Sequence, residues 1–377
     1  MTNRSLLTVP TPAALIERSR VIANSDYMAA RAHQLGVSLR PHVKTHKCVE
    51  VARMQVAEHF GGITVSTLAE VETFGRAGFQ DVTYAVPLAP TRAKRVVDLS
   101  RDIASLHVLV DHPAAVAALA NAAAGSPAKI SVFIKIDCGY GRAGLQPDDP
   151  GLVELAWSIQ REPTLRLAGV LAHGGHSYDC TNADGIKVVA ESERAETVRA
   201  ANILRRAGVP IDVVSVGSTP TACHVDDLTG VTEMRPGNYA LFDLYQAQIG
   251  TCRPDQIALS VLTEVIGVYP ARNLILVDAG ALALSKDAGA THVDGPSGYG
   301  LVCDLNLKPI SGLSLTALSQ EHGKITVDEQ SVDEWPKPGQ RLRILPNHSC
   351  LVTALYDSLL VIDAGAVVDT WHPVRGW

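Results

Sequence analysis

The stretch Leu39-Arg40-Pro41-His42-Val43-Lys44-Thr45-His46-Lys47 packs two lysines, two histidines and an arginine into one short segment. Val37 and Leu39 alternate with polar neighbours before it, as on a short strand. Pro41 stops regular structure and pushes Arg40 into extended backbone. The cations therefore fall on a strand end and the loop after it. An amine among other cations gives up its proton more readily, and that is the state Schiff-base chemistry needs. On this reading Arg40, His42, His46 and Lys47 shape the pKa of Lys44 and the mouth around it. A solvated basic turn has the same composition, so the stretch alone leaves both readings open.

A second constellation is Leu345-Pro346-Asn347-His348-Ser349-Cys350. Read as a strand, His348 and Cys350 point to one face. An imidazole and a thiolate placed together suit Zn²⁺, and two protein ligands leave positions open for water or substrate. A buried cysteine beside a surface histidine would look the same. Glu321-His322 is a further carboxylate–imidazole pair expected to line this site.

These groups need elements to hold them. Short β-rich runs fall at Val37–Arg40, Gly62–Thr67, Asp81–Val86, Ser105–Val110, Ile130–Asp137, Leu167–His173, Val213–Ser218 and Glu233–Leu241. Helical patterns lie between most of them: Leu68–Ala77, Pro90–Ser100, His112–Ala123, Pro150–Gln160 and Ala190–Ala207. Eight strand–helix units predict an α/β fold, a (β/α)8 TIM-type barrel. A doubly wound open sheet is the competitor, but no Gly-x-Gly-x-x-Gly follows the first strand. Residues 5 to 16 read as extended, broken by Pro10 and Pro12. A helical pattern runs from about Ala13 to Gly36, with Leu15, Ile16, Ile22, Met28 and Leu35 as its buried stripe. After Ile249 the texture changes to short strands between Gly, Pro, Asp and Asn: Ile257–Pro270, Asn273–Asp278, Leu313–Leu318, Ile325–Val327, Gln340–Pro346, Cys350–Tyr356 and Leu359–Val368. The stretch from Asp328 to Pro338 reads as a surface turn. The expected domains are a barrel over 13–249 and an all-β domain over 250–377, joined by an N-terminal strand within 1–12.

Barrel strands carry chemistry at their C-terminal ends. The predicted ends are polar in turn: His42 to Lys44; Ser66-Thr67 with Glu70; Asp137 to Gly144, including Arg142; His173 to Tyr178; Gly217 to Thr221; Arg235 to Tyr239. Gly217, Ser218 and Thr219 offer backbone N–H groups and hydroxyls at a helix start, and Gly237 and Asn238 can approach an anion on the next loop. Phosphate binding between the last two loops recurs in barrels. A phosphate site plus a reactive lysine implies pyridoxal phosphate, with Arg142 supplying charge near the ring. A phosphosugar aldolase would need the same two features, so the cofactor stays open at this point.

The totals exclude other classes. The chain has 377 residues, 46% hydrophobic and 19% charged, with net charge −6. That balance disfavours nucleic-acid or anionic-membrane binding. No run of about 18 apolar residues is present, so no transmembrane helix is expected. Residues 1 to 10 lack a basic region followed by an apolar core, so no secretory signal is expected. Seven scattered cysteines, Cys48, Cys138, Cys180, Cys223, Cys252, Cys303 and Cys350, suggest reduced thiols in the cytoplasm.

Taken in order, Arg40 to Lys47, Asp137-x-Gly-x-x-Arg142-x-Gly144, Val216 to Thr221, Gln320-Glu321-His322-Gly323, Pro346 to Cys350 and the ending Trp371-His372-Pro373-Val374-Arg375-Gly376-Trp377 resemble the D-serine dehydratase and D-threonine aldolase family of fold-type III pyridoxal phosphate enzymes. The resemblance covers nearly the whole chain. It implies an alanine-racemase-like barrel, a β domain and a homodimer. By position Lys44 looks like the Schiff-base lysine with Lys47 as its neighbour, and Arg142 like the arginine near the cofactor's phenolic oxygen. Gly217, Ser218, Thr219, Gly237, Asn238 and Tyr239 look like phosphate-side residues, with His42 and His173 also at the cofactor. His348 and Cys350 look like the zinc ligands. Tyr178 and His173 lie on the sixth loop, where contact with substrate or ring and a structural role are both open. The dehydratase branch carries His-x-Cys at the metal and the aldolase branch His-x-Asp, so His348-Ser349-Cys350 points to a dehydratase of D-serine or a related D-3-hydroxy amino acid, giving a 2-oxo acid and ammonia. A D-threonine aldolase giving glycine and an aldehyde, a racemase and a non-catalytic pyridoxal phosphate carrier are the alternatives.

Overall fold

All six residues of the strand Ile130–Lys135 are buried, leaving no face for water. Such a strand needs cover on both sides, as in a parallel sheet sheathed by helices. The computed structural model describes residues 4–57, 60–125, 129–295, 298–332 and 334–377. In it this strand belongs to an eight-stranded parallel sheet. The order is Ser38–Leu39, Glu233–Met234, Val213–Val216, Leu165–Leu171, Ile130–Lys135, Ser105–Val110, Asp81–Pro87 and Ile63–Val65. A parallel bridge between His42 and Thr64 joins the two edges, with the Thr64 N–H donating to the Pro41 carbonyl at 2.8 Å. The eight strands thus form the expected (β/α)8 barrel.

Inside the barrel, Leu109, Phe133, Ala168 and Leu171 form an apolar layer. Gly169 is needed where the sixth and seventh strands meet, because a Cβ there would lie 2.0 Å from the Val213 carbonyl oxygen. Near the strand starts the filling is polar. Arg40 reaches Glu233 at 2.6 Å and Asp81 at 2.5 Å, and His107 joins Asp81 at 3.0 Å and Ser131 at 2.8 Å. Ser215 donates to Glu233 at 2.6 Å and accepts from Arg235 at 2.7 Å. The Arg40 guanidinium is therefore committed to two carboxylates, which corrects its expected role beside the Lys44 amine.

The chain divides into two compact units. One, holding the barrel, comprises Asp26–Lys44, Ala52–Gly237 and Val374–Trp377; the other comprises the described residues up to Ser25, then Thr45–Val51 and Asn238–Pro373. Of the expected N-terminal strand, residues 1–3 lie outside the described residues.

The second unit carries a ten-stranded sheet. Leu259–Tyr269, Leu274–Val277, Gly323–Val327, Pro309–Leu318, Leu301–Cys303 and Arg341–Leu345 pair in that order, and the last pairs back on the first to close an antiparallel barrel. Ala13–Glu17, Leu359–Asp363, Ala366–Trp371 and Arg4–Ser5 extend it. Leu6, Val9, Leu15, Leu262, Ile362 and Val367 pack together beneath.

Four expectations change. Ala13–Glu17 is a strand and the helix starts only at Arg18. Leu15 and Ile16 bond to Leu259–Leu262 on one side and Leu360–Ile362 on the other, so strand pairing claims them; Ile22 is exposed. The eighth barrel strand stops at Met234, because Pro236 and Gly237 break it before the turn Asn238–Ala240. Leu359–Val368 is a hairpin of two strands turning through Ala364 and Gly365, both at positive φ. Cys350–Tyr356 is helical: Ser349–Leu355 is a helix, despite its Val and Thr. Its buried positions are Ser349, Val352 and Thr353, a helical spacing, and Pro346 and Asn347 end the strand before it. The turn region from Asp328 to Pro338 is largely exposed in its described part; Asp333 lies outside the described residues.

Candidate active site

Lys44 sits in a single 3-10 turn, Val43–Thr45, just after Pro41 ends the first strand. His42 is buried; its Nδ1 accepts from the Lys44 N–H at 3.4 Å and its Nε2 meets Ser66 Oγ at 3.3 Å. Gly237 lies against the same segment, where a Cβ would come within 2.4 Å of the His42 carbonyl oxygen. Ser66, Thr67 and Glu70 serve the next helix start: Thr67 Oγ1 accepts from the Glu70 N–H and Glu70 from the Ser66 N–H.

The fifth-strand loop is shaped by Asp137, whose Oδ1 accepts from the Gly139 and Gly141 N–H groups at 3.1 and 2.9 Å. Arg142 follows, exposed, with its guanidinium over the Tyr140 ring at 5.1 Å. Tyr140 meets His173 edge-on at 6.1 Å and stacks with His176 at 6.0 Å. Tyr178 lies on the turn Gly175–Asp179. Burial holds the His173 imidazole well below its usual pKa, and Lys44, Arg142, Lys135 and Arg235 add repulsion. A buried neutral imidazole with cationic groups nearby is a setting suited to an anionic ligand.

Lys135 was not singled out in the sequence. It follows the apolar run Val132 to Ile134 at the C-terminal end of its strand, which is the signal that could have revealed it. Burial, then Arg235, brings its amine down to about 8. Cys138 beside it is inert: burial pushes its thiol up to about 12.

On the seventh loop, Ser218 caps the short helix Thr219–His224 with a capping box. Gly217, Ser218 and Thr219 come together here, yet two of their backbone donors are already used. The Gly217 N–H donates to Glu193 Oε1 at 2.8 Å and the Ser218 N–H to Thr221 Oγ1 at 2.9 Å. The buried Thr219 hydroxyl accepts from the Gly237 N–H at 3.3 Å. Glu193, on the helix Ala183–Arg206, is a second residue that sequence reading missed.

The other unit contains the His348–Cys350 pair. His348 caps the helix Ser349–Leu355 in extended backbone, so the two side chains meet at a helix start rather than along a strand. Asp287 Oδ2 lies 2.8 Å from His348 Nδ1, which leaves Nε2 for another partner. Burial disfavours the imidazolium, but hydrogen bonds that it donates to Asp287 and Cys350 and the charge of Asp243 push His348 up to about 11. Asp243 is buried and accepts from the Ser349 N–H at 3.0 Å and from Asn238 Nδ2 at 2.7 Å; burial raises its pKa. Asn238 Oδ1 is buried without a hydrogen-bond partner among the described residues. Tyr239 is buried beside it in sequence. Thr45 Oγ1 reaches Cys350 Sγ at 3.2 Å. An imidazole fixed by a carboxylate and a thiol two residues on form a donor set suited to Zn²⁺. Among the described residues no group of three or more His, Cys, Asp or Glu is arranged to hold a metal ion. Glu321 and His322 are exposed in the turn before Gly323–Val327.

Two family models match the chain. Residues 16–244 match the alanine racemase N-terminal domain family, and residues 258–362 match the putative serine dehydratase domain family. The chain belongs to the family of lyases that joins an alanine-racemase-type barrel to a serine dehydratase domain. Among its relatives, the D-threo-3-hydroxyaspartate dehydratase of Delftia sp. (strain HT23) is 42% identical over 99% of this chain and 99% of the relative. Its solved structure matches with TM-score 0.94 over 99% of this chain and 100% of that one. The D-serine dehydratase of Dictyostelium discoideum is 36% identical over 100% of this chain and 99% of the relative. The D-threonine aldolase of Arthrobacter sp is 30% identical over 97% and 93%. Further matching structures titled D-threo-3-hydroxyaspartate dehydratase include a histidine-to-alanine mutant and, for a cysteine two positions later, an alanine mutant in the metal-free form, each 42% identical to this chain.

Proposed function

We propose that this protein is a pyridoxal phosphate- and zinc-dependent dehydratase of D-serine, D-threo-3-hydroxyaspartate or a related D-3-hydroxy amino acid, yielding a 2-oxo acid and ammonia. The observation that carries the reading is Thr45. Its hydroxyl lies 3.2 Å from the Cys350 thiol, and in the sequence it directly follows Lys44.

When bound, pyridoxal phosphate supplies an electron sink for the Cα carbanion, and zinc supplies a Lewis acid for the departing hydroxyl. Lys44 Nζ would hold the cofactor and would serve as the base for the substrate's Cα proton. Arg142 and the neutral His173 would bind on the ring side of the cofactor, and Tyr178, on the His173 loop, would contact substrate. His42 packs behind the lysine turn. Gly217, Ser218, Thr219, Gly237, Asn238 and Tyr239 hold the phosphate side. His348, with Nδ1 fixed by Asp287, and Cys350 hold the metal, as the metal-free cysteine mutant of D-threo-3-hydroxyaspartate dehydratase supports. In net terms, the β-hydroxyl and the α-proton leave as water, and hydrolysis then frees ammonia. A homodimer and a cytoplasmic location belong to the same reading; the seven cysteines form no disulfide among the described residues.

Product analysis over a panel of D-3-hydroxy amino acids tests this. A 2-oxo acid and ammonia in equal amounts are expected, and activity should vanish in the Cys350→Ala variant or after chelation while the visible cofactor band persists. Glycine plus an aldehyde would establish the aldolase reading, which the Arthrobacter relative supports. Lys44→Ala should abolish borohydride-reducible attachment of the cofactor; a reducible attachment retained at Lys47 would overturn the assignment of Lys44.

A further inference from the structure

Glu193 is a carboxylate only 1% exposed, far along a helix from any strand end. Oε1 accepts from the Gly174 N–H at 2.6 Å and from the Gly217 N–H at 2.8 Å, and Oε2 accepts from the Thr221 hydroxyl at 2.9 Å. Gly174 follows the sixth strand, and Gly217 and Thr221 follow the seventh. One side chain therefore ties two loops of the barrel mouth together. The fit is close on both sides. A Cβ on Gly174 would lie 3.1 Å from the Glu193 carboxylate, and Gly217 holds φ +115°, where a Cβ would press on the Arg235 N–H at 3.0 Å. Thr221 passes the constraint on, since its Oγ1 also accepts from the Ser218 N–H at 2.9 Å while its own N–H donates to Ser218 Oγ at 3.2 Å.

We propose that Glu193 is the positioning residue of the phosphate side. By occupying the Gly217 N–H and anchoring Thr221, it fixes the direction in which Ser218 and Thr219 present their hydroxyls, and it locks that loop to the His173 loop. This rests on the reading of Gly217 to Thr219 as phosphate-side residues. What the loops require is reach and two acceptor positions, not negative charge. In Glu193→Gln the amide oxygen can still accept both N–H groups, and the amide N–H₂ can donate to Thr221 Oγ1, which then turns its own proton to the Ser218 carbonyl, 3.3 Å away. Glu193→Asp keeps the charge and loses the reach.

The test is a titration of the two full-length variants, freed of cofactor, with pyridoxal phosphate and separately with pyridoxal, followed by the visible band. Glu193→Asp should raise the Kd for pyridoxal phosphate about tenfold to a hundredfold, the loss expected when buried, charge-assisted hydrogen bonds are broken. Its Kd for pyridoxal, which has no phosphate, should stay within about threefold, below the effect of one such bond. Glu193→Gln should bind both like the parent. Weakening by Gln with no effect from Asp would make charge the operative feature and overturn the proposal, as would equal loss of both ligands in Asp or no loss at all. Failure of the parent protein to bind pyridoxal phosphate would refute the cofactor reading itself, a separate outcome.

Discussion

At the scale of single residues, the candidate site keeps one amine in a state that costs stability. Lys135 is buried beside Arg235 and Arg142, and its amine is brought down to about 8 from an ordinary 10.5. A displacement of that size corresponds to about 3 kcal/mol. Because the folded pKa lies below the unfolded one, the native state is penalised while both forms are protonated, below about 8. The penalty is relieved as pH rises from there to 10.5. Lys135→Met should therefore raise the melting temperature of the cofactor-free protein at pH 7, with the gain shrinking toward pH 10. A gain independent of pH would assign the effect to packing alone. Asp287 is the other single-residue case. It fixes Nδ1 of His348, and removing such a partner typically weakens metal binding about 10- to 100-fold. Asp287→Ala should show that loss in competition with a chelator, with the stoichiometry at saturation unchanged.

At the scale of elements, positions in the barrel are set where strands touch. Gly169 has the Val213 carbonyl where a side chain would begin, so Gly169→Ala must push the sixth and seventh strands apart. The expected cost is about 3 kcal/mol, at the upper end for overpacking, read from the midpoint of urea unfolding. Since these two strands lead into the His173 and Gly217 loops, cofactor affinity should fall with it. The element Ser349–Leu355 makes a different point. Its local sequence favours a strand, yet Ser349 is held from outside, its N–H donating to Asp243 and its hydroxyl to the Phe242 carbonyl. Tertiary bonds at one end, and burial at helical spacing along it, outweigh the weak β preference of Val352 and Thr353.

For the molecule as a whole, acid stability should reside in the polar layer of the barrel. Burial works against ionised Asp81, but bonds from His107 and Arg40 hold its carboxyl well below the usual carboxylate range. A lowered folded pKa stabilises above the unfolded value of about 4 and is lost as pH falls below it. Asp81→Asn should destabilise at pH 7 by roughly 3 kcal/mol, because the buried Arg40 would keep only Glu233, and should flatten the acid limb of the stability curve. An unchanged acid limb in denaturant titrations at falling pH would place the acid sensitivity elsewhere.

The sequence by itself determined much of this protein. The strand–helix alternation, the β-rich second half, Lys44 after a strand-ending proline, the Gly-Ser-Thr turn and the His-x-Cys pair are all local patterns, legible because their periods and spacings act within a few residues. The tertiary structure decided the rest. It turned Arg40 away from Lys44 toward Asp81 and Glu233, and it made Ala13–Glu17 a strand by supplying partners from both ends of the chain. It brought Asp287 to His348 across 61 positions, Glu193 to Gly217 across 24, and Thr45 to Cys350 across 305. A carboxylate on a helix reads as surface in any local window. Only the fold, by burying it against two backbone N–H groups, makes it part of a site.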